Sequence, residues 1–290
     1  MKVLLTGASG FIGKNVIEAL ITNGIDFVTV GRRKPNLSKN HINSDLLSTD
    51  SFDKIVNIAQ ASHLIHLAWY AEHGKYWTSP LNYKWVEATS LLVEAFCNSG
   101  GRGVVVAGTC AEYDWSHGNC NEQSTPTNPS TLYGISKNKT RKLVMRICEQ
   151  HSIPCSWGRI FFPYGENENP KRLIPSLISV FRDEKSPFGV NKNQYRDFLH
   201  VSDVAEAFLF LMLKGQTGVF NVSSGESIKI SELVHIIAEL LKDNPKKILD
   251  LTSERRGEPK IIVGENIKLK SLGWEVKHSL ISGLEELLKI

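Results

Sequence analysis

The sequence predicts an α/β protein, a doubly wound parallel sheet joined to a smaller C-terminal α/β lobe. Val3-Leu4-Leu5 reads as a short buried strand. The glycine-rich turn Thr6-Gly7-Ala8-Ser9-Gly10-Phe11-Ile12-Gly13 follows it, and an amphipathic stretch runs on to Asn23, with Gly24 placed to end a helix. Val104-Val105-Val106-Ala107 is apolar throughout, as suits a parallel strand buried on both faces. The chain's 290 residues are enough for one large α/β unit plus a smaller one. Strand, turn and helix in this order form a Rossmann-type anion cradle, because the free N–H groups at a helix start point outward with partial positive charge. Gly7 permits the tight turn, Gly10 lets the backbone approach a pyrophosphate, and Gly13 lets the helix lie close on the sheet. Ser9, Phe11 and Ile12 complete the surface expected to face a dinucleotide.

Composition removes several classes of function. Net charge is +4 with both signs interspersed, so there is no nucleic-acid footprint, and the mild basicity suits an anionic small substrate. No apolar run approaches membrane-spanning length, and the first residues read as strand rather than signal peptide, so a cytoplasmic protein is expected. Cys97, Cys110, Cys120, Cys148 and Cys155 are odd in number and lack C-x-x-C spacing. They read as reduced thiols rather than a disulfide framework or a metal site.

Taken in order, the second strand, Phe27-Val28-Thr29-Val30, runs into Gly31-Arg32-Arg33-Lys34. An acidic residue here would accept from the adenosine ribose hydroxyls and select NAD. Arg32 and Arg33 instead offer forked donors for the 2′-phosphate of NADP(H), the alternative being a solvated basic turn. Asp45-Leu46 follows a short strand around 41–44, and Asp45 is also placed to cap a helix near 51–59. His63-Leu64-Ile65-His66-Leu67-Ala68 reads as the fourth strand, with Leu67, Ala68 and Trp69 at its carboxyl end, where open α/β sheets bind ligands. Ala68 is small enough to let a cofactor pass close, and His66 reads as a core histidine. Trp69, Tyr70, Tyr76 and Trp77 crowd one loop, as a packed lid or as a wall for a sugar or base. A helix over 80–98 follows, its core stripe widened by Val93 and Phe96, a width that would also serve a dimer face. The fifth strand ends in Gly108-Thr109-Cys110-Ala111-Glu112-Tyr113. A Thr109 hydroxyl there can donate to a carbonyl or sugar hydroxyl. Tyr133-Gly134-Ile135-Ser136-Lys137 lies 24 residues beyond Thr109, and its i, i+4 spacing stacks phenol and ammonium on one helical face. Lys137 and a cationic nicotinamide are together expected to lower the Tyr133 pKa from about 10 and so allow proton exchange with a substrate oxygen.

The G-x-x-G-x-x-G spacing, with these segments after it, resembles the extended branch of the short-chain dehydrogenase/reductases. Its members are NAD(P)-dependent sugar-nucleotide epimerases, dehydratases and reductases. The resemblance covers essentially the whole chain. It implies a catalytic triad of Thr109, Tyr133 and Lys137, with Asp45 and Leu46 bracketing the adenine. Trp85 stands where the family usually has Asn. Cys110 and Ala111 occupy the places of the Asp-Glu pair that performs elimination in the similar 4,6-dehydratases, and Glu112, one place on, is expected to point to the other side. The segment 159–165 is similar to R-x-F-N-x-Y-G, placing the Phe161 backbone beside the nicotinamide and Phe162 in place of the usual Asn. Residues 194–204 look like the family's R-D-F-x-H-V-x-D-V-A stretch. There Arg196 would pair with a substrate diphosphate, the following residues would be structural, and Ser202 would cap a helix. Arg172 and Arg256 are further candidates for the nucleotide, and Trp69, Thr109, Cys110, Ala111 and Phe162 for the sugar side.

These features divide the chain into an NADP-binding unit over 1–160, with 196–222 returning to it, and a substrate lobe over 161–195 and 223–290. The resemblance implies an NADPH-dependent 4-ketoreductase acting on a nucleoside-diphosphate 4-keto-6-deoxyhexose, working as a homodimer. The alternatives are an NAD-dependent nucleotide-sugar 4-epimerase and a non-catalytic NADP-sensing protein on the same fold.

Overall fold

The computed structural model describes residues 1–48, 51–251, 253 and 257–290. The first half alternates β1 (Lys2–Thr6), α1 (Phe11–Thr22), β2 (Asp26–Gly31), β3 (His41–Asn43), α2 (Phe52–Ala59), β4 (His63–His66), α3 (Leu81–Asn98) and β5 (Gly103–Thr109). Then come β6 (Asn119–Cys120), α4 (Leu132–Gln150), β7 (Cys155–Ile160), β8 (Phe162–Tyr164), α5 (Leu173–Phe181), β9 (Tyr195–Arg196) and β10 (Phe198–His200). The chain closes with α6 (Val201–Lys214), β11 (Gly218–Val222), β12 (Ile228–Lys229), α7 (Ile230–Leu240), α8 (Lys246–Leu249), β13 (Ile261–Gly264), α9 (Ile267–Lys270) and α10 (Leu280–Leu288).

The main sheet has the order β11-β7-β5-β4-β1-β2-β3, every pair parallel. Strand order reverses between β1 and β4, so the turn after β1 opens into the crevice where such sheets bind ligands. Alternation along β1 splits the core. Val3 and Leu5 pack with Val16, Ile17 and Leu20 of α1 and Phe208 of α6, while Leu4 joins Leu92 and Phe96 of α3 on the other face. α1 ends as its sequence implies, Gly24 taking φ +63° and donating its N–H to Ile21 O at 3.0 Å.

A second sheet, β12-β9-β13-β6, and the pair β10-β8 carry the lobe, whose own core includes Ile174, Leu177, Leu233, Ile237 and Leu284. The return to the main sheet, expected from residue 196, begins only at α6, because Arg196 is in β9 and β10 pairs with β8. Three other expectations are corrected. Val93 and Phe96 lie in the core at 0% and 1% exposure and offer no dimer face. Ser202 does not cap α6; it sits in the first turn and bonds His200 Nδ1 at 2.7 Å. Asp45 does not cap α2, which starts at Phe52; its carboxylate accepts from Leu47 N at 3.1 Å and closes its own turn. Among the described residues no helix is long and apolar enough to cross a membrane.

Candidate active site

The glycine turn has the shape its residues imply. Gly7 takes φ +69°, and a Cβ there would lie 2.7 Å from Ala68 N. A Cβ on Gly13 would lie 2.2 Å from Gly7 O, so only glycine lets α1 come this close. At Gly10, the N-cap of α1, a Cβ would meet only Gly7 O, at 3.1 Å, and no side chain caps the helix. The turn therefore fits a dinucleotide pyrophosphate: a backbone cradle, an uncapped helix start, and no acidic residue in the first turn. Thr6 ties this turn to the end of β4. Its hydroxyl accepts from Leu67 N and Ala68 N, each at 3.1 Å, and bonds His66 Nδ1 at 2.8 Å. His66 Nε2 meets Thr89 Oγ1 at 3.0 Å, and burial pushes this ring down to about 3, so it is a neutral core histidine. Arg32 and Arg33 are exposed just past β2.

Thr109 ends β5 and Tyr133 opens α4, whose N-cap Thr131 accepts from Gly134 N at 3.1 Å. The structure brings Thr109, Tyr133, Lys137 and Trp69 together. The Thr109 hydroxyl hydrogen-bonds toward the Tyr133 phenol, which favours the ionised form, and Tyr76, Trp77 and Trp69 stand edge-on to the phenol ring at 4.9, 5.7 and 6.4 Å. Lys137 departs from expectation. Its Nζ donates to Ala107 O at 2.8 Å and lies 3.9 Å from the centre of the Trp69 indole, and it is not what governs Tyr133. Burial pushes the Tyr133 phenol up, outweighing the Thr109 hydrogen bond, while burial pushes Lys137 down to about 7. In this state Tyr133 is a held proton rather than a phenolate.

Three of the four loop aromatics, Trp69, Tyr76 and Trp77, are built into this site, while Tyr70 bonds Glu72 at the surface. Trp69 Nε1 donates to Asn82 Oδ1 at 2.8 Å, and Asn82 Nδ2 donates to Tyr76 O at 2.7 Å. Trp85 stacks on Trp69 at 6.0 Å with its own Nε1 buried and unpartnered. Asn82 was not singled out from the sequence, since a lone Asn early in a helix carries no spacing signal. Cys110 and Ala111 form the turn after β5, both buried, with the Cys110 thiol pushed up by burial; neither is an acid or a base. Phe161 is buried against Tyr113, so its side chain serves packing and only its backbone is left to face a cofactor.

Phe162, Arg172 and Arg196 line one cavity of about 490 Å³. Arg196 is 9% exposed, donates to Tyr195 O at 2.8 Å and lies 5.6 Å from the Phe162 ring. Arg172 is half-buried beside Glu168, a buried acid the sequence did not single out; burial pushes its carboxyl up to about 8. Asp197 faces away and accepts from Ser224 N, Gly225 N and Gly264 N at 2.7, 3.1 and 3.1 Å, which is the structural role expected of that motif. Arg256 lies outside the described residues.

A glycine cradle at the point where strand order reverses, with Thr109, Tyr133 and Lys137 gathered at the end of β5, is the arrangement of a dinucleotide-binding α/β fold of the epimerase/dehydratase kind. The chain belongs to the NAD dependent epimerase/dehydratase family, whose model matches residues 3–223. Among its relatives, dTDP-D-glucose 4,6-dehydratase of Mus musculus is 24% identical, over 98% of this chain and 87% of that protein. UDP-glucose 4-epimerase of Halalkalibacterium halodurans is 23% identical, over 99% of this chain and 94% of that protein. Among solved structures, MoeE5 in complex with UDP-glucuronic acid and NAD superposes with a TM-score of 0.87 at 29% identity, covering 100% of this chain and 98% of the other. UDP-glucose 4-epimerase of Thermotoga maritima, at 22% identity, has a TM-score of 0.88 over 100% and 98% of the two chains and shows the same fold.

Proposed function

We propose that the protein is an NADPH-dependent 4-ketoreductase of a nucleoside-diphosphate 4-keto-6-deoxyhexose. One observation carries the reading: the Thr109 hydroxyl meets the Tyr133 phenol at the end of β5, while the turn beside it holds Cys110 and Ala111, neither an acid nor a base, in the places the resemblance to 4,6-dehydratases gives to the elimination pair. When bound, the dinucleotide supplies hydride to the carbonyl carbon. Thr109 orients the carbonyl, Tyr133 delivers a proton to its oxygen, and Lys137 restores the charge balance around the resulting phenolate. Arg196 and Arg172 hold the diphosphate in the cavity that Phe162 flanks, and Arg256 is assigned to the nucleotide as well. The Gly7–Gly13 turn, Ser9, Asp45, Leu46, Leu67 and Ala68 hold the dinucleotide, with Arg32 and Arg33 on its 2′-phosphate. A cytoplasmic homodimer is part of the same proposal.

A 4-epimerase is the second reading, favoured by the UDP-glucose and NAD named for MoeE5 structures similar to this chain. A panel of 4-keto-6-deoxyhexose nucleotides with NADPH and with NADH, followed by product NMR, separates the two. The ketoreductase gives stoichiometric NADPH oxidation and a dissociable cofactor. An epimerase retains NAD through gel filtration and gives no net oxidation. A wild-type protein that binds NADPH but turns over no member of the panel, and whose biological function survives Tyr133→Phe, would leave only a sensing role.

A further inference from the structure

Glu112 is fully buried beneath the end of β5, in the turn that follows Thr109. Its Oε1 accepts from Thr109 N at 2.9 Å and from Trp157 Nε1 at 2.8 Å. Its Oε2 accepts from Arg159 Nε at 2.9 Å, with Arg141 Nε 3.8 Å away. The packing leaves no slack. A Cβ on Gly108 would lie 2.1 Å from Trp157 Nε1 and 2.7 Å from Glu112 Oε1.

We infer that Glu112 is a positioning residue of this site, its carboxylate fixing the Thr109 main chain and holding the Tyr133 and Lys137 protons in place for donation. The geometry links the three groups: the carboxylate holds Thr109 N at 2.9 Å, the Thr109 hydroxyl meets the Tyr133 phenol, and Lys137 Nζ sits on Ala107 O, two residues earlier in β5, at 2.8 Å; a negative group at this spot also favours the protonated form of both neighbours. Among the described residues Glu112 is the acid whose charge reaches Lys137. The ammonium otherwise faces Ala107 O on β5, the Trp69 indole beyond β4, and neutral His66 on β4. Tyr133 faces Thr109, Tyr76 and Cys110 besides Glu112. Arg159 and Arg141 anchor the carboxylate from β7 and α4, and such a buried pair is worth more as a fixed geometry than as net stability. In a reduction Tyr133 gives its proton to the substrate oxygen and regains one from solvent, so a field that resists earlier proton loss suits that direction. This last link rests on the ketoreductase reading.

The test follows the Lys137 Cε signal of ¹³C-lysine-labelled protein against pH, assigned with Lys137→Met. In Glu112→Gln, which keeps an acceptor for Thr109 N, the titration midpoint is expected about one pH unit lower, a tenfold loss of proton affinity. The double variant Glu112→Gln/Arg159→Met removes the guanidinium that the single change strands, and the same downward shift is expected in it. A midpoint within about 0.2 unit of wild type in whichever variant folds overturns the proposal. Turnover gives a second readout, with dTDP-4-keto-6-deoxyglucose and NADPH as the probe pair. The alkaline limb of kcat should move to lower pH with KM for NADPH unchanged, whereas a uniform fall in kcat with an unmoved limb reduces Glu112 to a structural part and overturns the claim. If the wild-type protein turns over neither this pair nor any other member of the 4-keto-6-deoxyhexose nucleotide panel, the ketoreductase reading fails and the Lys137 titration still decides the role of Glu112.

Discussion

Lys137 is stored under tension. Burial holds its pKa near about 7 against 10.5 for a free side chain, and one hydrogen bond to Ala107 O with an indole face is modest compensation for an ammonium. Below pH 7 both folded and unfolded chains carry the charge and the folded state bears the full penalty. From pH 7 to 10.5 the unfolded chain keeps a proton that the folded one has released, so stability rises across that window. Lys137→Met should therefore be about 2–4 kcal/mol more stable than wild type at pH 6, the gain shrinking towards pH 10, while turnover is lost. Thermal unfolding at the two pH values checks this, and a variant less stable at pH 6 contradicts it. The exposed pair Arg32 and Arg33 offers the opposite case, a site with nothing stored. Replacing both by Ala should leave Tm within a degree or so and raise KM for NADPH about 10–100-fold, with KM for NADH unchanged. Equal losses for both cofactors would show that the arginines do not read the 2′-phosphate.

At the scale of elements, the β1–turn–α1 unit was legible because its rules are local. Glycines three apart between a strand and a helix fix a backbone path, and Tyr133 and Lys137 four apart on α4 fix a shared face. Glu112 and Arg159 are 47 positions apart, and Asn82 reaches Trp69 across a loop, so no spacing in the sequence announces either contact. The burial that opposes the expected lowering at Tyr133 was hidden for a related reason. Proximity on a helix is local, but the burial that overrides it comes from the β5 end and the aromatic loop. The same distinction sorts two glycine substitutions. Gly13→Ala puts a methyl 2.2 Å from Gly7 O, so α1 must move off the sheet; a loss of about 1–3 kcal/mol and of dinucleotide binding is expected. Gly24→Ala has φ +63° but meets nothing within 4 Å, so it should lose about 1 kcal/mol from backbone strain alone and still bind. Chemical denaturation together with NADPH fluorescence titration of both variants tests the pair, and intact binding in Gly13→Ala would sink the close-packing argument.

Across the whole molecule, the buried ionisable groups pull the stability–pH curve in opposite directions. His66, held at about 3, stays neutral when folded, so its contribution is present above pH 6.5 and is lost as pH falls towards 3. Glu168 acts in reverse. It sits where the lobe's cavity meets the loop leading to α5, its Oε2 is buried without a partner, and Arg172 lies no closer than 4.0 Å to its Oε1. Burial therefore outweighs the guanidinium and raises the carboxyl to about 8 from 4.5. Below pH 4.5 both states hold the proton; between 4.5 and 8 only the folded chain does, and folding loses ground as the unfolded carboxylate forms. Glu168→Gln, which cannot ionise and fills the same space, should match wild type near pH 4.5 and exceed it by about 2–4 kcal/mol at pH 8. Paired thermal melts across that range read the difference directly. A gap that stays constant with pH would mean that Glu168 is already ionised in the folded protein, and that Arg172 holds it far more tightly than the 4.0 Å separation implies.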